Sequence, residues 1–213
     1  MLDRNVLESG LQELGFSPSE EELNKLLKFG EELIKWNRVY NLTAILEPSE
    51  VVSKHLLDSS VLASLIKKRF EPTKECLDVG SGGGLPGIPC AILLPEDSFT
   101  LVDSIGKKVN FLKQMKILLQ CSNLFPIQGR VEQLGIQKKY SIVSSRAFTS
   151  LTNFVRLTEH LIERDGYWLA MKGKTHEDEL EEVKCVAKVI DVIKVKVPYL
   201  DDDRSIVVMA PKD

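Results

Sequence analysis

The chain has 213 residues, enough for one full domain with a small addition and for a sizeable core without disulfide staples. A hydrophobic share of 43%, a charged share of 28% and a mean hydropathy of -0.06 exclude disorder, collagen and coiled coil, and no apolar run reaches the roughly 18–20 residues of a membrane helix. The net charge of -3 disfavours a nucleic-acid partner at first sight, yet residues 76–150 carry eight basic and five acidic side chains, a local excess that by itself is within chance.

The first ten residues, with their acids and no apolar signal core, predict a chain that stays in the cytoplasm. Val6, Leu7, Leu11 and Leu14 form a helical stripe that Gly15 stops. Ser17-Pro18-Ser19-Glu20 reads as a capping box with proline at the first helical position. Leu23, Leu26, Leu27, Leu33 and Ile34 continue at helical spacing, with a gap at Gly30, until Asn41-Leu42-Thr43 breaks the pattern. Another helix begins near Pro48 and carries Val52, Leu56, Ala63 and Ile66.

At Cys76 the period changes. Strands are predicted at Cys76–Val79, Phe99–Asp103, Leu124–Gln128, Ser141–Ser144, Tyr167–Met171, Val189–Val197 and Ile206–Ala210, with helical stretches after the first five. Asp201–Arg204 is too short for a crossover, so the last two strands form an antiparallel hairpin. The prediction is an α/β protein with a mostly parallel seven-stranded sheet, its last strand antiparallel, and an N-terminal helical extension: a helical subdomain at 1–73 and the α/β domain at 74–213. The cysteines Cys76, Cys90, Cys121 and Cys185 lie at least 14 residues apart, which points to free thiols and to no metal or redox site.

The strongest chemical signal is Asp78-Val79-Gly80-Ser81-Gly82-Gly83-Gly84-Leu85-Pro86-Gly87, a glycine loop that leaves the first strand and opens a helix. Such a loop serves a dinucleotide pyrophosphate or the amino-acid end of S-adenosylmethionine. The acid at its start favours the second, and so do Pro86 and Pro89, which remove helix N–H groups that a phosphate would use. A structural glycine turn is the plain alternative. Asp103, nineteen residues after Gly84 at the tip of the second strand, suits the two ribose hydroxyls of an adenosine, or else caps the next helix. Val131 and Glu132 follow the third strand, where an adenine is read, and Arg146 ends the fourth strand, facing the ligand crevice. Lys172 and Lys174 add positive charge on the same edge.

These segments also carry a resemblance. Lys35-Trp36-Asn37, Tyr40-Asn41-Leu42-Thr43, His55-Leu56-Leu57-Asp58-Ser59, the glycine loop through Pro89, Leu101–Lys108, Arg130-Val131-Glu132, Ser145-Arg146-Ala147 and Leu169–Gly173 are similar, in order and spacing from about residue 23 onward, to the bacterial RsmG family, also called GidB. One departure is Ser141 after Tyr140, where the family has an aspartate after an aromatic residue. The resemblance implies a class I methyltransferase fold, S-adenosyl-L-methionine as cofactor, and methyl transfer to N7 of a guanine in 16S ribosomal RNA or the small ribosomal subunit. It implies cofactor contacts at Gly80, Leu85, Val131, Glu132 and Arg146, beside Gly82 and Asp103 from the loop reading.

Guanine N7 has a free lone pair, so no general base, covalent nucleophile or metal is expected. Its neighbour O6 could accept a hydrogen bond from Asn41, His55 or Lys172, although a lone helical histidine is more often structural. The expected enzyme is a cytoplasmic monomer without membrane contact. A methyltransferase acting on a small molecule would share every cofactor residue but close an apolar pocket in place of Lys172 and Lys174. A non-catalytic cofactor-sensing protein is separated from both by a methyl-transfer assay on RNA.

Overall fold

The computed structural model describes residues 2–45, 47–71, 74–135, 138–146 and 148–212. Thr73 at the expected domain boundary and Ala147 of the Ser145-Arg146-Ala147 motif lie outside the described residues.

The side chain of Asp3 accepts the Val6 N–H at 3.1 Å and starts α1 (Arg4–Glu13), which buries Leu7 and Leu11. Gly15, at φ +89°, ends the turn after it, as the sequence suggests. In α2 (Glu20–Tyr40) the capping box is Ser19 with Glu22, two residues later than the expected Ser17 and Glu20. That start puts Glu20, Glu21 and Glu22 together in the first turn, where the helix dipole favours acids. The gap at Gly30 is a buried crossing point: a Cβ there would lie 2.5 Å from Leu2 Cδ1. In place of one helix from Pro48, the chain forms α3 (Pro48–Val51), a π-helical turn over Val52–Leu57, and α4 (Asp58–Arg69) in one continuous run. Periodicity does not reveal such a widened turn, which redirects the side chains within it.

The sheet runs in the order β3-β2-β1-β4-β5-β7-β6. Its strands are β1 (Glu75–Val79), β2 (Ser98–Asp103), β3 (Leu124–Gln128), β4 (Tyr140–Arg146), β5 (Ile162–Lys172), β6 (Lys188–Val195) and β7 (Arg204–Ala210). The first five are parallel, and β7 is antiparallel to both β5 and β6. Helices α5 (Gly87–Leu93), α6 (Gly106–Leu118), α7 (Leu151–Thr158) and α8 (Glu177–Val183) link the strands. Among the described residues between β3 and β4 there is only a 3-10 turn, Val131–Gln133, where a helix was expected; the sequence there holds Gly129 and Gly135 and no apolar stripe. Ser141, the departure from the family pattern, bridges β4 to β1, accepting from the Glu75 N–H and donating to its carbonyl, both at 3.2 Å.

Alternate residues of β7 feed two cores. Ile206 and Val208 face α1, α2 and α4–α6, whereas Val207 and Met209 face α7 and α8. The N-terminal helices thus share one core with the sheet. A fully buried leucine such as Leu33 or Leu56 contributes about 1.5–3 kcal/mol there. No helix among the described residues is long and apolar enough to cross a membrane. The strand order reverses between β1 and β4, which puts the ligand crevice at their carboxyl ends.

Candidate functional site

Two cavities open at that crevice. The first is built around the glycine loop. Gly80, Gly82 and Gly84 hold φ of +68°, +54° and +83°, which other residues adopt only with strain. The N–H groups of Gly80 and Ser81 donate to Val102 O at 2.9 and 3.1 Å, tying the loop to β2. Asp103 accepts the Gly82 N–H at 2.9 Å on one oxygen and the Ile105 N–H at 2.8 Å on the other. The two readings of Asp103 therefore do not compete. It braces the loop and the start of α6, and each carboxylate oxygen keeps a lone pair for a ligand hydroxyl.

This cavity has a volume of about 410 Å³, and Gly80, Asp103, Lys108, Val131, Glu132 and Phe148 are among its walls. A Cβ on Gly80 would stand 2.6 Å from Phe148 Cδ2, so the aromatic ring covers the bare backbone. Four of the expected cofactor residues, Gly80, Asp103, Val131 and Glu132, meet here. Gly82 shapes the loop from behind through Asp103, and Leu85 is buried under it without lining the cavity.

Asp78 adds an unsatisfied group. It is 1% exposed; Oδ2 accepts the Gly87 N–H at 3.1 Å and Oδ1 has no partner. Burial pushes its carboxyl up to about 7, against hydrogen bonds from Ser81 and Gly87 and the charge of Arg146. An orphaned carboxylate oxygen beside a glycine cradle, with a second carboxylate at the next strand tip, fits an amino-acid group at one end and a ribose at the other.

The second cavity, of about 520 Å³, lies between the N-terminal helices and the ends of β4, β5 and β7. Its walls carry Lys54, Arg146, Lys172 and Arg204 against the single carboxylate of Asp58. Arg146, expected at the cofactor, stands here: Nη1 donates to Asp58 Oδ2 at 3.0 Å and to Lys54 O at 3.2 Å. Arg204 Nε donates to the other Asp58 oxygen at 3.1 Å. Arg146 still acts on the buried Asp78 through its charge, although it does not line the first cavity.

The three residues expected at the base have different fates. His55 sits in the π-helical turn, 4% exposed, with Nδ1 2.9 Å from Lys54 O and Nε2 2.6 Å from the Thr43 hydroxyl. Burial, with Arg146 beside it, pulls its pKa down to about 4, so the ring is neutral, Nδ1–H donates to the carbonyl and Nε2 accepts. Lys172 donates to Glu179 at 2.8 Å. Asn41 caps α2 in the left-handed region (φ 50°), is exposed and lines neither cavity.

Four residues at this site carried no individual role in the sequence reading. Asn37 clamps Thr43 with two 2.8 Å hydrogen bonds, and Thr43 meets His55. Asp58 and Arg204 complete the ion pairs. Asp58 follows His55 by three positions on a helical run, the one sequence signal available; Arg204 offers none. Of the cations in the basic middle third only Arg146 lines the second cavity, whose others come from both flanking thirds. Among the described residues no three His, Cys, Asp or Glu side chains are grouped to hold a metal.

Residues 22–207 match the profile of a family described as rRNA small subunit methyltransferase G. The chain is 40% identical over 209 residues to the ribosomal RNA small subunit methyltransferase G of Klebsiella pneumoniae, covering 98% of each. It is 43% identical over 200 residues to that of Ectopseudomonas mendocina, covering 94% of this chain and 92% of the relative. Among solved structures, a SAM-dependent methyltransferase from Aquifex aeolicus superposes with TM-score 0.56 at 14% identity over 84% of this chain and 97% of that one. Aeropyrum pernix fibrillarin with natively bound S-adenosyl-L-methionine gives 0.55 at 15% identity, over 73% and 76%. At such identities these structures speak for the fold alone.

Proposed function

The chain belongs to the rRNA small subunit methyltransferase G family, and on that premise we propose that it methylates N7 of a guanine in 16S ribosomal RNA. Methylation of small-subunit ribosomal RNA with S-adenosyl-L-methionine comes with the family; the N7 position and the residue roles are our reading. The observation that carries it is the presence of a glycine-loop cavity and a basic cavity at the carboxyl ends of one parallel sheet.

In this reading residues 74–213 hold the cofactor and residues 1–73 wall the nucleotide site. Gly80 and the loop backbone would receive the amino-acid end, with Asp78 Oδ1 accepting from its ammonium group. Asp103 would accept from the ribose hydroxyls, and Val131 and Glu132 would border the adenine. The bound cofactor supplies a methyl group already activated on a sulfonium. The lone pair of N7 needs no proton removed, so the chain's task is to orient the base in line; proximity and orientation can contribute about 7–11 kcal/mol. The basic cavity suits an RNA strand better than a small molecule, because four cations face one carboxylate there.

The test is transfer of radiolabelled methyl from S-adenosyl-L-methionine to 30S subunits and to naked 16S RNA, followed by strand scission specific for 7-methylguanine. Label in rRNA with scission at one guanine is expected. Label elsewhere on the base or on ribose rejects N7, and no label in either RNA rejects the reading.

A further inference from the structure

We infer that Asp58 is a positioning residue for the transfer, clamping Arg146 and Arg204 so that these two guanidinium groups meet the target nucleotide. The inference rests on the rRNA methylation proposed above. Asp58 opens α4 in the N-terminal helices and is 3% exposed. One of its oxygens accepts from Arg146 of β4 at 3.0 Å and the other from Arg204 of β7 at 3.1 Å. A single carboxylate from one part of the chain thus bridges cations from two strands that flank β5.

The other polar groups of the cavity are already engaged. His55 is neutral with both ring nitrogens in contact. Lys172 is held by Glu179, which also accepts the Leu151 N–H at 3.0 Å. Lys54 is paired with Glu50 at 2.6 Å. Each guanidinium offers five N–H donors in a rigid plane, more than its recorded partners use, and that plane matches the acceptors of a nucleotide: O6 beside N7, and the phosphate oxygens.

The carboxylate also fits the charge flow of the reaction. A base methylated at N7 becomes cationic, so two bare arginines beside it would oppose the transfer. Asp58 lies between the two charges and fixes the direction of both side chains, while the more exposed Asp202 meets only Arg204, at 3.3 Å from Nη2. Binding and chemistry should therefore respond in opposite senses when Asp58 loses its charge.

The experiment uses the full chain with 30S subunits and naked 16S RNA. Asp58→Asn keeps the shape and removes the charge. Its kcat should fall about 10- to 100-fold while KM for RNA stays level or drops, since the cavity gains net positive charge. Affinity for S-adenosyl-L-methionine, measured by calorimetry, should stay within about two-fold. A merely structural clasp predicts the reverse split: a raised KM, a lowered melting temperature and little change in kcat for the folded fraction. Should Asp58→Asn prove unstable, Asp58→Asn/Arg204→Gln rebalances the charge. Recovery of melting temperature with kcat still depressed supports positioning, and recovery of both overturns it. A wild-type chain that labels no rRNA overturns the functional reading and the inference with it. An active wild type matched in kcat by a stable Asp58→Asn overturns the inference alone.

Discussion

The two cavities are built on different plans. The cofactor cavity takes its walls from the ends of neighbouring strands: residues 79–80, 102–108 and 129–132, closed by Phe148 and Leu157. Its shape is held by backbone donors and left-handed glycines, and its charged walls mix Asp103 and Glu132 with Lys108 and Arg130. The basic cavity gathers Lys54, His55 and Asp58 from the N-terminal helices with Arg146, Lys172 and Arg204 from the strand ends. Its shape is held by side-chain ion pairs between segments 88 and 146 residues apart. The first should therefore be stiff and little affected by salt, whereas the second should respond to ionic strength and to single side-chain changes. Burial has also moved the pKa values of two titratable groups in opposite directions with the same consequence, favouring the neutral form: an acid, Asp78, pushed up beside the first and a base, His55, pulled down at the second.

That contrast gives the largest expected effect. Asp78 titrates near 7 in the folded chain against 3.8 in the ordinary case. The folded state thus holds an extra proton between those values, and stability falls as pH rises through the window, by up to about 4 kcal/mol. His55 titrates near 4 against an ordinary 6.5, so the unfolded state holds the extra proton. Stability there rises with pH between about 4 and 6.5, by up to about 3 kcal/mol. In the wild type the two slopes oppose each other over that shared range. Urea unfolding at several pH values should show a rising curve for Asp78→Asn and a falling one for His55→Gln. Identical curves for both variants would show that neither group titrates as its burial implies.

Next in size is the cofactor carboxylate. Asp103→Ala removes charge-assisted bonds to ribose and frees the Gly82 amide, weakening cofactor binding by about 1.5–3 kcal/mol, or roughly 10- to 150-fold. Calorimetry at low and high salt should give the same loss; unchanged affinity would remove Asp103 from the ribose.

A smaller, salt-dependent effect belongs to the other cavity. Lys172→Gln should reduce the slope of log affinity for RNA against log salt by about 0.7–0.9 if Lys172 leaves Glu179 for a phosphate. A slope equal to that of the wild type assigns Lys172 to the Glu179 pair alone. Cofactor affinity should not move in this variant.

The smallest expected response is none. With S-adenosyl-L-methionine saturating, so that its ammonium group holds Asp78 ionised, the single-turnover rate should be flat from about pH 6 to 8, because N7 needs no base and His55, with its pKa near 4, does not titrate there. A log-linear rise that persists in His55→Gln would mean a proton is removed in the chemical step, and would redirect the reaction to an amine, an N–H or a hydroxyl.

What the sequence alone determined about this protein is the part written in local order. The Gly80–Gly84 loop, the acids at two strand tips and the alternation of strands and helices lie within short windows. Backbone sterics and side-chain period act over the same range, so the parallel sheet with its antiparallel last strand and most of the cofactor cavity were legible. The tertiary structure alone decided the rest. It set the Arg146 guanidinium in the wall of the second cavity, where Asp58 and the Lys54 carbonyl accept its hydrogen bonds. It engaged His55 with Thr43 and Lys54, and Lys172 with Glu179, left Asn41 outside both cavities, and brought in Arg204, which no motif marks. Ion pairs over such separations depend on how helices dock on a sheet. The π-helical turn at Val52–Leu57 and the shared core set that docking, and neither leaves a periodic trace in the chain.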